Sequence, residues 1–256
     1  MSNVFNQVAA LYDEARPGYP DQLIEGVVSL SAIPPGGSIL EIGCGTGQAT
    51  QPFARKGYSM LCLEPGDALA RIAARNCFLY PHVEIQQITF EDWQPLRSAF
   101  DLVLSAQAFD WIPPEIGYLK AAAVLKDSGS LALFWNHTPE VNTPFRQAVE
   151  EIFHTNAPQL MAYLPGKESL EDWVDQKKEQ IETSGQFGNV TVKAYPWSEK
   201  YTTERYIKLL KTFSVISTLE ESNRQKLLAD LRDTANSFGG ELDSPHLSIL
   251  FIAKKQ

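Results

Sequence analysis

The sequence predicts an α/β fold of the doubly wound kind with a helical cap. Three observations carry this. Short apolar runs alternate with helical patterns from residue 21 to about 135. A glycine-rich turn joins the first such run to the helix after it. Two late apolar runs, near residues 190 and 250, are separated by helical sequence. Strands that alternate with helices form βαβ units, a parallel sheet and right-handed crossovers.

The elements follow in order. Asp21 caps a helix whose Leu23, Ile24, Val27 and Val28 recur at helical spacing, and Pro34-Pro35-Gly36-Gly37 ends it. Ser38 to Ile42 reads as a buried strand, followed by the loop Gly43-Cys44-Gly45-Thr46-Gly47. Gln48 to Lys56 is a helix with Gly57 at its stop. Ser59 to Leu63 is the second strand, Asp67 to Asn76 a helix, Val83 to Gln87 the third strand and Phe100 to Ser105 the fourth. Pro114 to Leu125 is a helix stopped at Asp127-Ser128-Gly129, and Ser130 to Trp135 is the fifth strand. Beyond Trp135, residues 140–186 are helical and polar. Asn189 to Ala194 is a strand, Thr203 to Ser237 two helices broken near Thr218, and Ser248 to Ala253 a closing strand.

No stretch reads as a linker, a repeat or a low-complexity tract. The expected organisation is one domain over 1–256. It has an N-terminal arm and helix at 1–37, a ligand-binding core at 38–135, cap helices at 140–186 and 203–238, and closing strands at 189–195 and 247–254.

Composition excludes several classes. Lys and Arg number 22 against 31 Asp and Glu, a net charge of −9. Phosphate neutralisation needs basic residues, so a nucleic-acid partner is not expected. The three cysteines, Cys44, Cys62 and Cys77, form no CxxC pair, which fits a reducing compartment and no zinc module. His82, His137, His154 and His246 show no ligand spacing, so no metal is expected. Only His137 lies near the end of a parallel strand, as a remote candidate base. The first residues lack a basic-then-apolar pattern, and no apolar run reaches the roughly 18 residues of a membrane span. A cytoplasmic protein without a membrane partner is the expectation, as a monomer or homodimer.

The glycine loop lies between a strand and a helix. Glycines there permit positive φ and close approach of a ligand to the backbone, and helix amides behind them can hold an anion. Glu64 ends the next strand 21 residues after Gly43, where a carboxylate can accept both hydroxyls of a ribose. The dinucleotide fingerprint G-x-G-x-x-G fails at Gln48, and no Gly-Lys-Ser/Thr follows. Glu41, two residues before Gly43, suits a cationic ligand end better than a pyrophosphate.

At Leu40-Glu41-Ile42-Gly43-Cys44-Gly45-Thr46-Gly47 the chain resembles the class I S-adenosylmethionine-dependent methyltransferases, and Glu64 matches their ribose-binding acid. The resemblance covers residues 38–135. It implies a Rossmann-like, seven-stranded, mostly parallel sheet whose last strand is antiparallel. It also implies S-adenosylmethionine as cofactor and S-adenosylhomocysteine as product. Glu41, Gly43, Cys44, Gly45, Gly47, Glu64 and Pro65 then fall in the cofactor site. The adenine falls at Thr89, Phe90 and Glu91. Many relatives carry Asp where Thr89 stands, and Glu91 or Asp92 can substitute for it; Trp93 reads as core.

Ser105-Ala-Gln107-Ala-Phe109-Asp110-Trp111 ends the fourth strand, where doubly wound sheets bind ligands. The run is similar to one in methyltransferases of the trans-aconitate methyltransferase-like group (methyltransferase type 11), with Asp110 in place of their His. Ser105 and Gln107 are expected at the cofactor and Asp110 and Trp111 at the reaction. Asp110 is equally open to a helix-cap reading. Tyr12-Asp13-Glu14-Ala15-Arg16-Pro17-Gly18-Tyr19-Pro20 matches a segment of the same group. Arg16 suits a carboxylate, such as the methionine end of the cofactor, while Tyr12 and Tyr19 can cover the sulfonium and exclude water. Their other reading is packing, with Arg16 paired to Asp13 or Glu14. Tyr206, Leu210 and Phe213 share helical spacing in the candidate lid. The implied reaction is methylation of a small-molecule O or N acceptor. A non-catalytic cofactor-binding protein and a protein-directed methyltransferase are the alternatives.

Overall fold

A computed structural model describes residues 6–94, 98–164 and 169–256. The start of the predicted arm and residues 165–168 of the predicted helical stretch 140–186 lie outside the described residues.

Seven strands form one sheet in the order β3-β2-β1-β4-β5-β7-β6. They are β1 (Ser38–Ile42), β2 (Ser59–Leu63), β3 (Val83–Gln86), β4 (Phe100–Ala106), β5 (Leu125–His137), β6 (Thr191–Thr202) and β7 (Glu241–Lys254). β1 to β5 pair in parallel, whereas β7 runs antiparallel to both neighbours. The expected doubly wound sheet with an antiparallel last strand is therefore the observed one.

Alternation along the strands loads both faces. Ile39, Leu102, Leu104 and Phe134 pack with Leu23, Ile24 and Val27 of α2 (Asp21–Ser31) and Phe53 of α3 (Thr50–Arg55). Leu40, Val103, Leu133 and Trp135 face the other way. There they meet Tyr118 and Ala121 of α5 (Pro114–Val124) and Ile181 of α7 (Leu170–Thr183). Trp93 belongs to this second core, as expected. Strands buried on both faces read as continuous apolar runs, which is why β1 and β4 are legible in the sequence.

The late strands are longer than the sequence reading. β6 and β7 pair from Thr191↔Ile252 to Thr202↔Glu241, well past the end of the β5–β7 ladder at His137↔Leu247. The overhang is a two-stranded ribbon. Its β6 side alternates Trp197, Glu199 and Tyr201 between more exposed residues, and Pro196 at its base masks the strand pattern. Proline is tolerated because β6 is an edge strand. The ribbon carries a helical layer made of α6 (Pro144–Asn156), α8 (Thr203–Lys211), short α9 (Ser214–Ser217) and α10 (Glu221–Ser237). Val149, Phe153, Ile207, Leu210, Leu227 and Leu231 give that layer an apolar core of its own. The predicted break near Thr218 is real but wider: Thr212 to Glu220 separates α8 from α10 and holds only the single turn of α9. Among the described residues, no helix is long and apolar enough to cross a membrane.

Candidate cofactor and methyl-transfer site

β1 and β4 are neighbours whose crossovers diverge, so a crevice opens at their carboxyl ends. The glycine loop leaves β1 there. Gly43 has φ +71°, and a Cβ on it would lie 2.4 Å from the Ala108 Cβ, so only glycine fits against the loop after β4. Gly45 has φ +59°, and its Cβ position faces open space bounded at 3.8 Å by Tyr12 and Gln48.

The loop amides are used inside the protein. Gly43 and Cys44 donate to the Leu63 carbonyl at 2.9 and 3.2 Å, and Gly47 donates to the Cys44 carbonyl at 2.9 Å. Gly45 donates to Glu64 Oε2 at 2.9 Å. The helix behind the loop starts only at Thr50. The Gly43, Cys44, Gly45 and Gly47 amides are thus spent inside the protein, and at these positions the loop supplies shape rather than a row of free donors.

Two adjoining cavities open beside the loop. The larger, about 550 Å³, is bounded by Glu64, Pro65, Leu69, Thr89, Phe90, Glu91, Ala108, Trp111 and Ile112. The smaller, about 50 Å³, is bounded by Pro17, Tyr19, Glu41, Cys44, Gln48 and Asn136. Tyr12, Arg16, Gly43, Gly45 and Gln107 line both. Gln107 takes φ +62°, with its amide held by the Phe134 carbonyl at 3.0 Å, a strained backbone that turns the chain across the crevice.

Three expected residues do not reach these cavities. Ser105 is fully buried, and its hydroxyl donates to the Ile42 carbonyl at 2.8 Å; strand alternation makes it a tie between β4 and β1. Gly47, at φ +94°, faces Cys77 Sγ at 3.5 Å and Ala73, so it serves the packing of α4 (Asp67–Asn76). Asp110 pairs with Lys177 of α7, makes no cap hydrogen bond and lies outside both cavity linings. His137 packs edge-on against Trp173 at 4.3 Å and also lies outside both cavities. Asp92 is occupied by Thr89, whose Oγ1 donates to Oδ2 at 2.8 Å and accepts from the Asp92 amide at 3.0 Å.

Electrostatics sets the character of the smaller cavity. Glu41 is buried within β1, and burial pushes its carboxyl up to about 7, against donation from Thr50 Oγ1 (2.6 Å) and Cys62 Sγ (3.6 Å). Burial likewise raises Glu64, although the Gly66 and Gly45 amides bind it. Burial raises Tyr12 and pushes Tyr19 well up.

Arg16 does not pair with its sequence neighbours. Asp13 accepts from Arg75 at 2.9 Å and Asn76 at 2.7 Å, and Glu14 pairs with Lys208. Arg16 instead donates to Thr212 Oγ1 at 2.9 Å and the Thr212 carbonyl at 3.1 Å, and lies over the rings of Phe213 (4.5 Å) and Tyr12 (5.0 Å). Among the described residues no carboxylate forms an ion pair with it, although a guanidinium stays charged when buried. Of the three candidate lid residues, Leu210 belongs to the cap core and Tyr206 packs on Phe145, so only Phe213 faces the site.

Sequence reasoning missed Thr212 and Asn136, and it noticed Gln48 only as a misfit to the dinucleotide fingerprint. The Gln48 Nε2 is buried without a partner among the described residues. Asn136 carries no motif, since only the tertiary fold brings it to the arm.

The fold and the comparisons with known proteins support a class I S-adenosylmethionine-dependent methyltransferase. Residues 39–129 match the methyltransferase domain family. The chain is 28% identical over 239 residues to an uncharacterized methyltransferase-like protein of Schizosaccharomyces pombe, covering 91% of this chain and 86% of that one. It is 24% identical over 264 residues to a "Probable S-adenosylmethionine-dependent methyltransferase" of Saccharomyces cerevisiae, covering 93% and 87%. A solved protein of Anaeromyxobacter dehalogenans assigned to the type II methyltransferases superposes with a TM-score of 0.66 at 19% identity, covering 93% and 97%. The residues present fit S-adenosylmethionine: among the described residues Arg16 lacks a carboxylate partner and Gln48 has an orphan donor, and Gly45 leaves room where a side chain would intrude.

Proposed function

We propose that this methyltransferase acts in the cytoplasm on a small-molecule O or N acceptor, with its cofactor spanning the two cavities. Glu64 and Pro65 hold the ribose, and Thr89, Phe90 and Glu91 flank the adenine. Glu41 and Arg16 hold the ammonium and carboxylate of the methionine end, with Tyr19, Cys44 and the glycines around them. The bound cofactor supplies an electrophilic sulfonium methyl. Tyr12 covers that end of the crevice with its ring and, with Trp111, keeps water from it.

Most of the acceleration then comes from alignment in a dry site. Lys177 neutralises Asp110, and His137 lies under Trp173, so neither serves as a base. An acceptor that is already nucleophilic, such as a carboxylate or a neutral amine, suits this arrangement.

One observation carries the small-molecule reading: the arm helix α1 (Ala9–Ala15) roofs the crevice. It is fastened to α4 by Asp13 and to the cap by Glu14 and Arg16. A roof tied on both sides admits small acceptors more readily than a polypeptide. The test is transfer of labelled methyl to small carboxylates, alcohols and amines, beside protein extracts. Label in a small acceptor is expected. Label only in polypeptides, or in nothing, would overturn the reading.

A further inference from the structure

Asn136 connects the smaller cavity to the far edge of the sheet. It stands near the end of β5, opposite Ser248 of β7, and Trp197 of β6 lies beyond. Trp197 Nε1 donates to Ser248 Oγ at 2.9 Å, and Ser248 Oγ donates to Asn136 Oδ1 at 2.6 Å. Asn136 Nδ2 donates to the Gly18 carbonyl at 2.9 Å, and its own carbonyl receives Gln107 Nε2 at 3.5 Å. Three strands thus feed one hydrogen-bond chain into the arm.

From these contacts we infer that Asn136 is a positioning residue for the methionine end of the cofactor, oriented from behind by Ser248 and Trp197. The inference rests on the proposal that the smaller cavity takes that end.

The direction of the chain follows from the groups in it. An indole N–H is donor-only, so Ser248 must accept from Trp197. Its single proton is then free for Asn136. Receiving that proton fixes the Asn136 oxygen toward Ser248 and leaves its NH₂ facing Gly18. A reversed amide would set its oxygen against the Gly18 carbonyl, and its NH₂ against a fully buried Ser248 hydroxyl that already accepts from Trp197. Gly18 lies between Arg16 and Tyr19. The segment is held at three points: Arg16 on Thr212, Gly18 on Asn136, and Tyr19 edge-on to Phe134 at 4.9 Å. Releasing the middle point lets Arg16 and Tyr19 drift from the cavity they line.

Calorimetric titration with two ligands tests this. S-adenosylhomocysteine carries the amino-acid end; 5′-methylthioadenosine has the same adenosine without it. Wild type is expected to bind the first more tightly. Asn136→Asp keeps the shape but replaces the donor, and should weaken S-adenosylhomocysteine about tenfold while leaving methylthioadenosine within about twofold. Ser248→Ala should act in the same direction and more weakly, and decides the matter if Asn136→Asp does not fold. Equal weakening of both ligands would mark a merely structural role and overturn the inference. Full discrimination kept in both variants would overturn it while sparing the cavity assignment. Equal binding of the two ligands by wild type would overturn the assignment and the inference with it.

Discussion

Burial holds the Glu41 carboxyl at about 7 instead of 4.5, so between those values the folded chain keeps a proton that the unfolded chain has lost. Stability contributed by this group is full below pH 4.5 and is lost as pH rises through about 7. Glu41→Gln removes that loss. It is expected to stabilise the ligand-free protein at pH 8 by up to about 3 kcal/mol, with no gain below the unfolded pKa. The same change should weaken S-adenosylhomocysteine binding, because a neutral amide cannot pair with an ammonium. Melting curves across pH check the first effect and calorimetry the second; a melting temperature unchanged at pH 8 would contradict the raised carboxyl. Glu64 has two tasks, since Oε1 and Oε2 also accept from the Gly66 and Gly45 amides at 2.8 and 2.9 Å. Glu64→Ala should therefore cost about 1–3 kcal/mol of ligand affinity and also lower the melting temperature, because two amides lose their acceptor. Wild-type affinity in that variant would remove Glu64 from the site.

At the scale of elements, α1 matters more than its seven residues suggest. It contributes nothing to the sheet, yet it spans from α4 to α8 over the crevice. Removing residues 1–19 should leave the far-ultraviolet circular dichroism close to that of the sheet and helices that remain, while abolishing S-adenosylhomocysteine binding. A truncated chain that binds normally would show that the arm is ornamental to the site. The β6–β7 overhang has the complementary role. It holds the cap helices beyond the end of β5, at the height where Thr212 and Phe213 meet Arg16.

Across the whole molecule, core and cap have separate apolar interiors, and the arm is a polar link between them. Ligand in the crevice should tighten that link. At about 100 times its dissociation constant, S-adenosylhomocysteine should add about 2.7 kcal/mol. For a chain of this size the melting temperature should then rise by about 5–10 °C. Hydrogen exchange should slow in α1 and α8 together with the glycine loop. Protection confined to the loop would disconnect the cap from the site.

While the antiparallel last strand and the cofactor came from the family resemblance, the sequence by itself determined the strands β1 to β5 and the placement of Glu41, Gly43, Gly45 and Glu64 at the ends of β1 and β2. These features are local: a buried strand is a continuous apolar run, and a glycine loop must sit between one strand and the next helix. The overhanging ribbon was less legible, because a half-exposed edge strand with Pro196 in it lacks such a run. Only the tertiary structure decided which way Ser105 and Asp110 point, since one step along a strand or turn changes the face a side chain meets. It also decided the partners of Arg16 and Asn136. Thr212 lies 196 residues from Arg16, and Ser248 lies 112 residues from Asn136. Hydrogen bonds act over about 3 Å in space, whatever the distance along the chain, so no periodicity or spacing in the sequence encodes them.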